Sequence, residues 1–110
     1  MRKLSFCITT FNRYELTMEC VLPLCEDRWV DQIIIVDDCS DIEIYEKLKE
    51  AVKDLSKVKL YRNEKNLGVY YNKKRSVELA TNDFVVVADS DNIYGKDFIT
   101  KKVRLTSIRS

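Results

Sequence analysis

Two short apolar segments most constrain the fold of this chain. Residues 32–38 read QIIIVDD and residues 83–89 read DFVVVAD. A strand that is apolar at consecutive positions is buried on both of its faces, which is typical of a parallel sheet covered by helices. Both segments therefore predict central strands, and both end in aspartates.

Strand-like and helix-like patterns alternate around these two segments. Further strands are predicted at 3–9 and 58–62, and helices are predicted at 13–25, 41–55, 69–80 and from 95 onwards. The order β-α-β-α-β-α-β indicates the α/β class, with a mostly parallel sheet between two helix layers and right-handed crossovers. The length of 110 residues suits a single domain, 1–110.

The helices carry more detailed expectations. In the first helix, Leu16, Cys20, Val21 and Leu24 share a face, and Pro23 is expected to end or kink the helix. Ser40 with Glu43 predicts a capping box at the start of the second helix. In the last segment, the residues expected to face inward are Phe98, Ile99 and Val103.

Polar clusters follow three of the predicted strands. They read TTFNR at 9–13, DDCSD at 37–41 and DSDN at 89–92. Ligands of open parallel sheets bind beyond the carboxyl ends of the strands. We therefore expect the three clusters to share one crevice.

The clusters favour a nucleotide and a metal, although each has a simpler explanation. Asp89 and Asp91 could hold Mg²⁺ or Mn²⁺, which prefer oxygen ligands, or could be a solvated strand end. A carboxylate in the pair Asp37 and Asp38 could accept hydrogen bonds from a base or ribose, or could cap a helix. Phe11 could stack on a base or belong to the core.

Composition excludes several other functions. The net charge of +1 gives no support for nucleic-acid binding, and no apolar run is long enough to span a membrane. The N-terminus is a poor signal peptide, so we expect a cytoplasmic protein. The chain has no histidine and no C-x-x-C pair, which argues against a zinc site and against a Ser-His or Cys-His nucleophile.

Four motifs in order resemble the nucleotide-sugar-binding half of a family 2 glycosyltransferase with the GT-A fold. The family's PTYNR-like turn corresponds to TTFNR at 9–13, and its VVDDGS-like strand end corresponds to IVDDCS at 35–40. Its N-x-G-x-x-x-A-R-N, ELATGDY and D-x-D motifs correspond to NLGVYYNKK at 66–74, ELATNDF at 78–84 and DSDN. The similarity covers residues 3 to 100.

The resemblance implies sugar transfer from a UDP-sugar donor, with Mn²⁺ or Mg²⁺, to an unknown saccharide or other acceptor. The nucleotide-binding residues it implies are Thr9, Phe11, Asn12, Arg13, Asp38, Lys73 and Asp89, and Asp91 is implied as the metal ligand. Thr9 and Phe11 would lie beside the uracil, and Asp38 would hydrogen-bond it. Lys73 stands where the family has arginine and would face phosphate. No catalytic base is assigned.

Departures from the family pattern add further expectations. Cys39 replaces a glycine, so the loop after Asp38 is expected to lack an easy positive φ. Family members continue well past the D-x-D motif, so we expect a GT-A domain truncated after it. With strand order 3-2-1-4, the strand at 84–88 would be a bare apolar edge, which predicts a homo-oligomer.

Other classes remain open from the sequence alone. A nucleotide-binding or interaction module without catalysis is the main alternative. A haloacid-dehalogenase-type phosphatase places its D-x-D near the start of the domain, and a receiver domain carries its acidic pair after the first strand. Neither arrangement matches this chain.

Overall fold

A computed structural model describes residues 3–82, 84–89 and 106–107 of the chain. In these ranges three helices alternate with the strands, and a short strand follows. The elements are β1 Leu4–Thr10, α1 Tyr14–Cys25, β2 Val30–Asp37, α2 Ile42–Val52, β3 Val58–Arg62, α3 Val69–Leu79, β4 Phe84–Asp89 and β5 Thr106–Ser107.

The strands form one sheet in the order β3-β2-β1-β4-β5. The first four run parallel, while β5 is antiparallel and pairs with Phe84 and Val85 of β4. The α/β fold and the strand order 3-2-1-4 are therefore confirmed. The expected bare edge of β4 is wrong at Phe84 and Val85, because β5 covers them.

The register brings the carboxyl ends of the strands to one edge of the sheet. Thr9 is level with Val36 on one side and with Asp89 on the other. Thr10 is level with Asp37, which is level with Arg62. The predicted crevice beyond these strand ends is thus built from β1, β2 and β4.

Helices cover both faces of the sheet. On the α1/α2 face, α1 and α2 pack on a large apolar core whose members from the central strands are Phe6, Ile8, Ile33, Ile35, Val86 and Ala88. On the α3 face, a smaller cluster contains Cys7, Ile34, Val36, Ala80 and Val85. Neighbouring residues of one strand alternate between the two clusters, as the pleat requires.

Two predictions about α1 need correction. Leu16 is 37% exposed and does not face the core, whereas Thr17 is fully buried. A threonine can occupy the inward position because its hydroxyl bonds the carbonyl of Arg13 and the hydroxyl of Thr10. Pro23 does not end the helix, which continues to Cys25.

The start of α2 also differs from the expectation. The residue preceding the helix is Asp41, and the predicted capping box of Ser40 and Glu43 does not form. The Ser40 hydroxyl is instead engaged by Asp37 and by the backbone N–H of Asn12. The helix is accordingly shorter than the predicted 41–55.

The end of the chain lies largely outside the described residues. Phe98, Ile99 and Val103 belong to this part, so the predicted inward face cannot be compared there. Thr106 and Ser107 are strand, which corrects the helical prediction at its final residues.

Candidate functional site

Asp38 is a heavily hydrogen-bonded carboxylate at the end of β2. It is only 3% exposed, and its own N–H donates to the carbonyl of Thr10 at 2.9 Å. Its Oδ1 accepts from the N–H of Leu67 at 2.7 Å and from Nδ2 of Asn63 at 2.9 Å. Its Oδ2 accepts from the N–H of Gly68 at 3.0 Å. Asp38 thereby joins the end of β2 to the loop that enters α3.

These contacts decide the charge of Asp38. Burial acts to raise the pKa of this carboxyl, because an apolar environment disfavours the ionised form. Hydrogen bonds from Leu67, Asn63, Gly68 and Asn72 outweigh burial, and the pKa lies below its usual value of 3.8. Asp38 is therefore an ionised acceptor at neutral pH.

Asp37 has a different set of partners. Its Oδ2 accepts from the N–H of Ser40 at 2.9 Å, and its Oδ1 contacts the Ser40 hydroxyl. The Nε of Arg62 lies 3.8 Å from Oδ2. Asp37 thus stabilises the β2–α2 loop. Its carboxylate serves the structure of this loop rather than the open crevice.

Two residues of the neighbouring loops adopt left-handed backbone conformations. Asn12 has φ 51° and Cys39 has φ 64°. The side-chain oxygen of Asn12 accepts from the N–H of Asp41 at 2.8 Å, so it caps the entry to α2. The loop adopts a positive φ at Cys39 although it lacks the glycine that would make this conformation easy.

Phe11 remains open to solvent at the mouth of the crevice. Its side chain is 42% exposed, so the interpretation as a core aromatic is not supported. Thr9 is buried near the end of β1, between Val36 and Asp89 in the register. Arg13 precedes α1 and is exposed.

The remaining predicted site residues come from α3 and β4. Lys73 lies on the second turn of α3 and is half-buried. Asp89 is the last residue of β4 and is level with Thr9. Asp91 lies outside the described residues. Among the residues that are described, no group of three or more Cys, Asp or Glu side chains could hold a metal ion.

Sequence reasoning missed two asparagines that support Asp38. Asn63 is 4% exposed and donates from Nδ2 to both Asp38 and Asn72, which is equally buried. Buried amides at the end of an edge strand and inside an amphipathic helix are unusual, since buried polar groups require partners. The available signal in the sequence was a polar residue at a position expected to face inward. This signal does not show which group is the hydrogen-bond partner until the fold is known.

The chain was compared with known families and proteins. The family model described as "Glycosyl transferase family 2" matches residues 5–106. An uncharacterized glycosyltransferase of Mycoplasma genitalium is 28% identical over 104 residues, covering 89% of this chain and 35% of that protein. The glucosyl-dolichyl phosphate glucuronosyltransferase of Haloferax volcanii is 27% identical, covering 84% of this chain and 30% of that protein.

Solved structures agree in fold. Staphylococcus aureus TarS superposes with a TM-score of 0.73 at 22% identity, covering 91% of this chain and 31% of that one. A mannosyltransferase of Pyrobaculum calidifontis, solved with GDP-Man and Mn²⁺, gives a TM-score of 0.71 at 19% identity with the same coverages. The predicted GT-A fold is confirmed. The chain spans about a third of the length of these proteins.

No helix within residues 3–82 has both the length and the apolar character needed to cross a bilayer.

Proposed function

This chain belongs to glycosyl transferase family 2, and we propose that it binds a UDP-sugar together with a divalent metal ion for transfer of the sugar to an acceptor. The observation that carries the proposal is that the exposed Phe11 follows β1 and the ionised Asp38 follows β2, at the edge of the sheet where β4 ends in Asp89. The phosphatase and receiver alternatives are set aside, because the matching family consists of glycosyl transferases.

Phe11 and Asp38 are proposed to bind the uracil base. An exposed aromatic ring offers a face on which a base can stack, worth about 1–3 kcal/mol per base. Asp38 already accepts from Asn63, Leu67 and Gly68, and a hydrogen bond from Asn72 also lowers its pKa. A base N–H is therefore proposed to share one of its oxygens, and the lowered pKa keeps the carboxylate ionised for this role.

The other side chains would orient the nucleotide. Thr9 lies level with Asp89, so these two residues are proposed to approach the ribose side of the donor. Asn12 uses its side-chain oxygen to cap α2, and its contribution is to hold the turn that presents Phe11. Lys73 and Arg13 supply positive charge that suits the donor phosphates.

Asp91, with Asp89 beside it, is proposed to hold Mn²⁺ or Mg²⁺. Carboxylate oxygens are ligands that suit these hard cations, and β4 delivers Asp89 to the edge of the sheet. A bound ion would supply neutralisation of the leaving diphosphate. The P. calidifontis neighbour was solved with Mn²⁺ and GDP-Man, and TarS was also solved with UDP-GlcNAc, which supports this class of donor.

Calorimetric titration of UDP, with and without Mn²⁺, tests the proposal. Phe11→Ala should weaken binding about 5- to 100-fold, the equivalent of one lost base stack. Asp91→Asn should remove the effect of Mn²⁺ while leaving metal-free binding unchanged. Equal affinities for wild type and Asp91→Asn in Mn²⁺ would contradict the metal role.

Trp29→Ala is the matched control for Phe11. Its ring is 43% exposed, almost the same as that of Phe11, but Trp29 precedes β2 and therefore lies at the opposite edge of the sheet. Its removal should leave UDP affinity unchanged. Equal losses in the two variants would show that the stacking site is not at Phe11.

A further inference from the structure

A cavity lies beside the loop that joins β3 to α3. Its volume is about 480 Å³, and it is lined by Arg62, Asn63, Glu64, Lys65, Leu67 and Arg75. A volume of this size falls in the usual range of small-molecule sites. Three of the six lining residues are cationic and one is anionic, so the cavity favours an anion.

Two of these arginines have a buried donor without a partner. Within the described residues, the Nε atoms of Arg62 and Arg75 are inaccessible to solvent and make no hydrogen bond. A buried donor that lacks an acceptor costs about 1–3 kcal/mol, and more when the group is charged. The protein therefore leaves both guanidinium groups incompletely paired, and their other N–H donors are the ones that can reach a ligand in the cavity.

Arg62 is held rigidly beside the cavity. Its Nη2 donates to the carbonyl of Ser40 at 2.8 Å, and its guanidinium lies 5.2 Å from the centre of the Tyr45 ring. Asp37 balances part of its charge at 3.8 Å. Arg75 and Lys65 form no ion pair with any described residue, so their charges are the ones left for a ligand.

Arg75 lies on the other side of α3 from Lys73, which is the residue of this helix that the donor is proposed to use. Asn72 and Ser76 are the buried residues of α3. In a helix with 3.6 residues per turn, residues 73 and 75 lie about 160° apart around the axis. Lys73 and Arg75 therefore flank the buried face on opposite sides, and the lining residues from β3 place Arg75 towards the β3 edge of the sheet.

We propose that this cavity is an anion site that binds a phosphate group through Arg75 and Lys65, with Arg62 in support, independently of the nucleotide-sugar donor. A guanidinium presents its donors in a fixed fork that matches phosphate oxygens. The phosphate can be free or carried by a small phosphomonoester, since the cavity exceeds what the anion alone requires. The site does not rest on the proposed donor binding.

The experiment is an amide-resolved NMR titration of the wild-type chain with inorganic phosphate, glucose 1-phosphate and acetate at constant ionic strength. Saturable shifts should appear at residues 62–67 and at Arg75. Tighter binding of glucose 1-phosphate than of inorganic phosphate would identify a phosphomonoester as the ligand, and the reverse would identify free phosphate. Acetate binding as tightly as either would overturn the assignment to phosphate.

Arg75→Gln and Lys74→Gln form the matched pair of variants. Each removes one positive charge from adjacent positions of α3, but Lys74 is exposed and does not line the cavity. Arg75→Gln should weaken phosphate binding about 10-fold or more, as expected for a lost charged hydrogen bond. Lys74→Gln should change it less than 2-fold. Equal losses of phosphate affinity in the two variants would show that only the overall positive charge matters, and would overturn the proposal.

Two further measurements address a variant that fails to fold and an overlap between the cavity and the donor site. Lys65→Gln alters only an exposed loop residue and should also weaken phosphate binding, so the test survives if Arg75→Gln fails to fold. UDP with Mg²⁺, which is diamagnetic, should leave the phosphate shifts in place. Displacement of phosphate by UDP would place the cavity within the donor site and overturn its independence, while leaving the proposed donor function intact.

Discussion

The two faces of the sheet are held to their helices by different interactions. On the α1/α2 face, the helices bury Met18, Val21, Leu24, Leu48 and Val52 against apolar strand residues. On the α3 face, the buried residues of α3 itself are Asn72 and Ser76. Asn72 accepts from Asn63, and the carbonyl of Ser76 accepts from the thiol of Cys7 at 3.3 Å.

The difference indicates a division of roles. Apolar burial stabilises a domain without directional requirements, at about 25 cal/mol per Å². Hydrogen bonds contribute less net stability but restrict geometry, because a buried group without its partner is costly. We infer that the α1/α2 face supplies most of the stability, whereas the α3 face positions the loop at Leu67 and Gly68 around Asp38.

The largest expected effect compares two isoleucines that are neighbours in β2. Ile35 faces the α1/α2 core and Ile34 faces the α3 cluster, and both are fully buried. Ile35→Ala should lower the free energy of unfolding by about 4 kcal/mol, and Ile34→Ala by about 2 kcal/mol, within the range for such truncations. Urea unfolding measures both losses in the free energy of unfolding. Equal losses, or a larger loss for Ile34→Ala, would contradict the inference that the α1/α2 face supplies most of the stability.

A smaller effect is expected at the polar contact between β2 and the α3 loop. Asp38→Asn should lower the free energy of unfolding by about 2 kcal/mol at pH 7, because it removes a charged acceptor of several hydrogen bonds. Asp54→Asn, at an exposed position in the turn after α2, is the control and should change it by less than 0.5 kcal/mol, as is usual for surface changes.

The acid dependence of stability sharpens this test. The pKa of Asp38 is lowered on folding, so its contribution is fully present above the unfolded value of 3.8 and is lost as pH falls through the folded value. The gap in stability between wild type and Asp38→Asn should therefore narrow as pH falls below about 4. A gap that stays constant in acid would contradict the ionised role of Asp38.

The smallest perturbation uses the native thiols as probes. Cys7 lies on the α3 face, fully buried, and burial raises its pKa to about 12, so almost no thiolate exists at pH 8. The thiol of Cys25 is only partly buried, at the end of α1. Iodoacetamide labelling followed by mass spectrometry should modify Cys25 well before Cys7, and Cys7 only at the rate of global unfolding. Faster labelling of Cys7 would show that α3 opens locally.

Much of the architecture could be predicted from local patterns. The apolar segments of β2 and β4 define buried strands because both of their faces are covered, and the alternation of elements implies a parallel sheet with crossovers. The helix α3 was placed almost to the residue, at Val69–Leu79. The motifs TTFNR and IVDDCS located the strand ends that meet in the crevice.

Local patterns were less informative about which polar groups serve the fold. Ser40 and Glu43 had the spacing of a capping box, but the Ser40 hydroxyl is taken by Asp37 and Asn12, which become neighbours only when β1 and β2 pair. The helical spacing of Leu16 predicted that it faces the core. Thr17 faces the core instead, because Thr10 and Arg13 satisfy the hydrogen bonds of the Thr17 hydroxyl. Both outcomes depend on partners that lie elsewhere in the tertiary structure.

The periodicity of the sequence by itself determined the α/β class, and the order of its motifs identified the resemblance to the family, whose fold implied the strand order. Only the tertiary structure decided which groups donate hydrogen bonds to Asp38, namely Asn63, Leu67 and Gly68. It also decided that Cys39 adopts a positive φ and that Arg62 and Arg75 line one cavity. The physical reason is that hydrogen bonds and buried charges are short-range and directional, so their partners are set by which loops the fold brings within about 3 Å of each other.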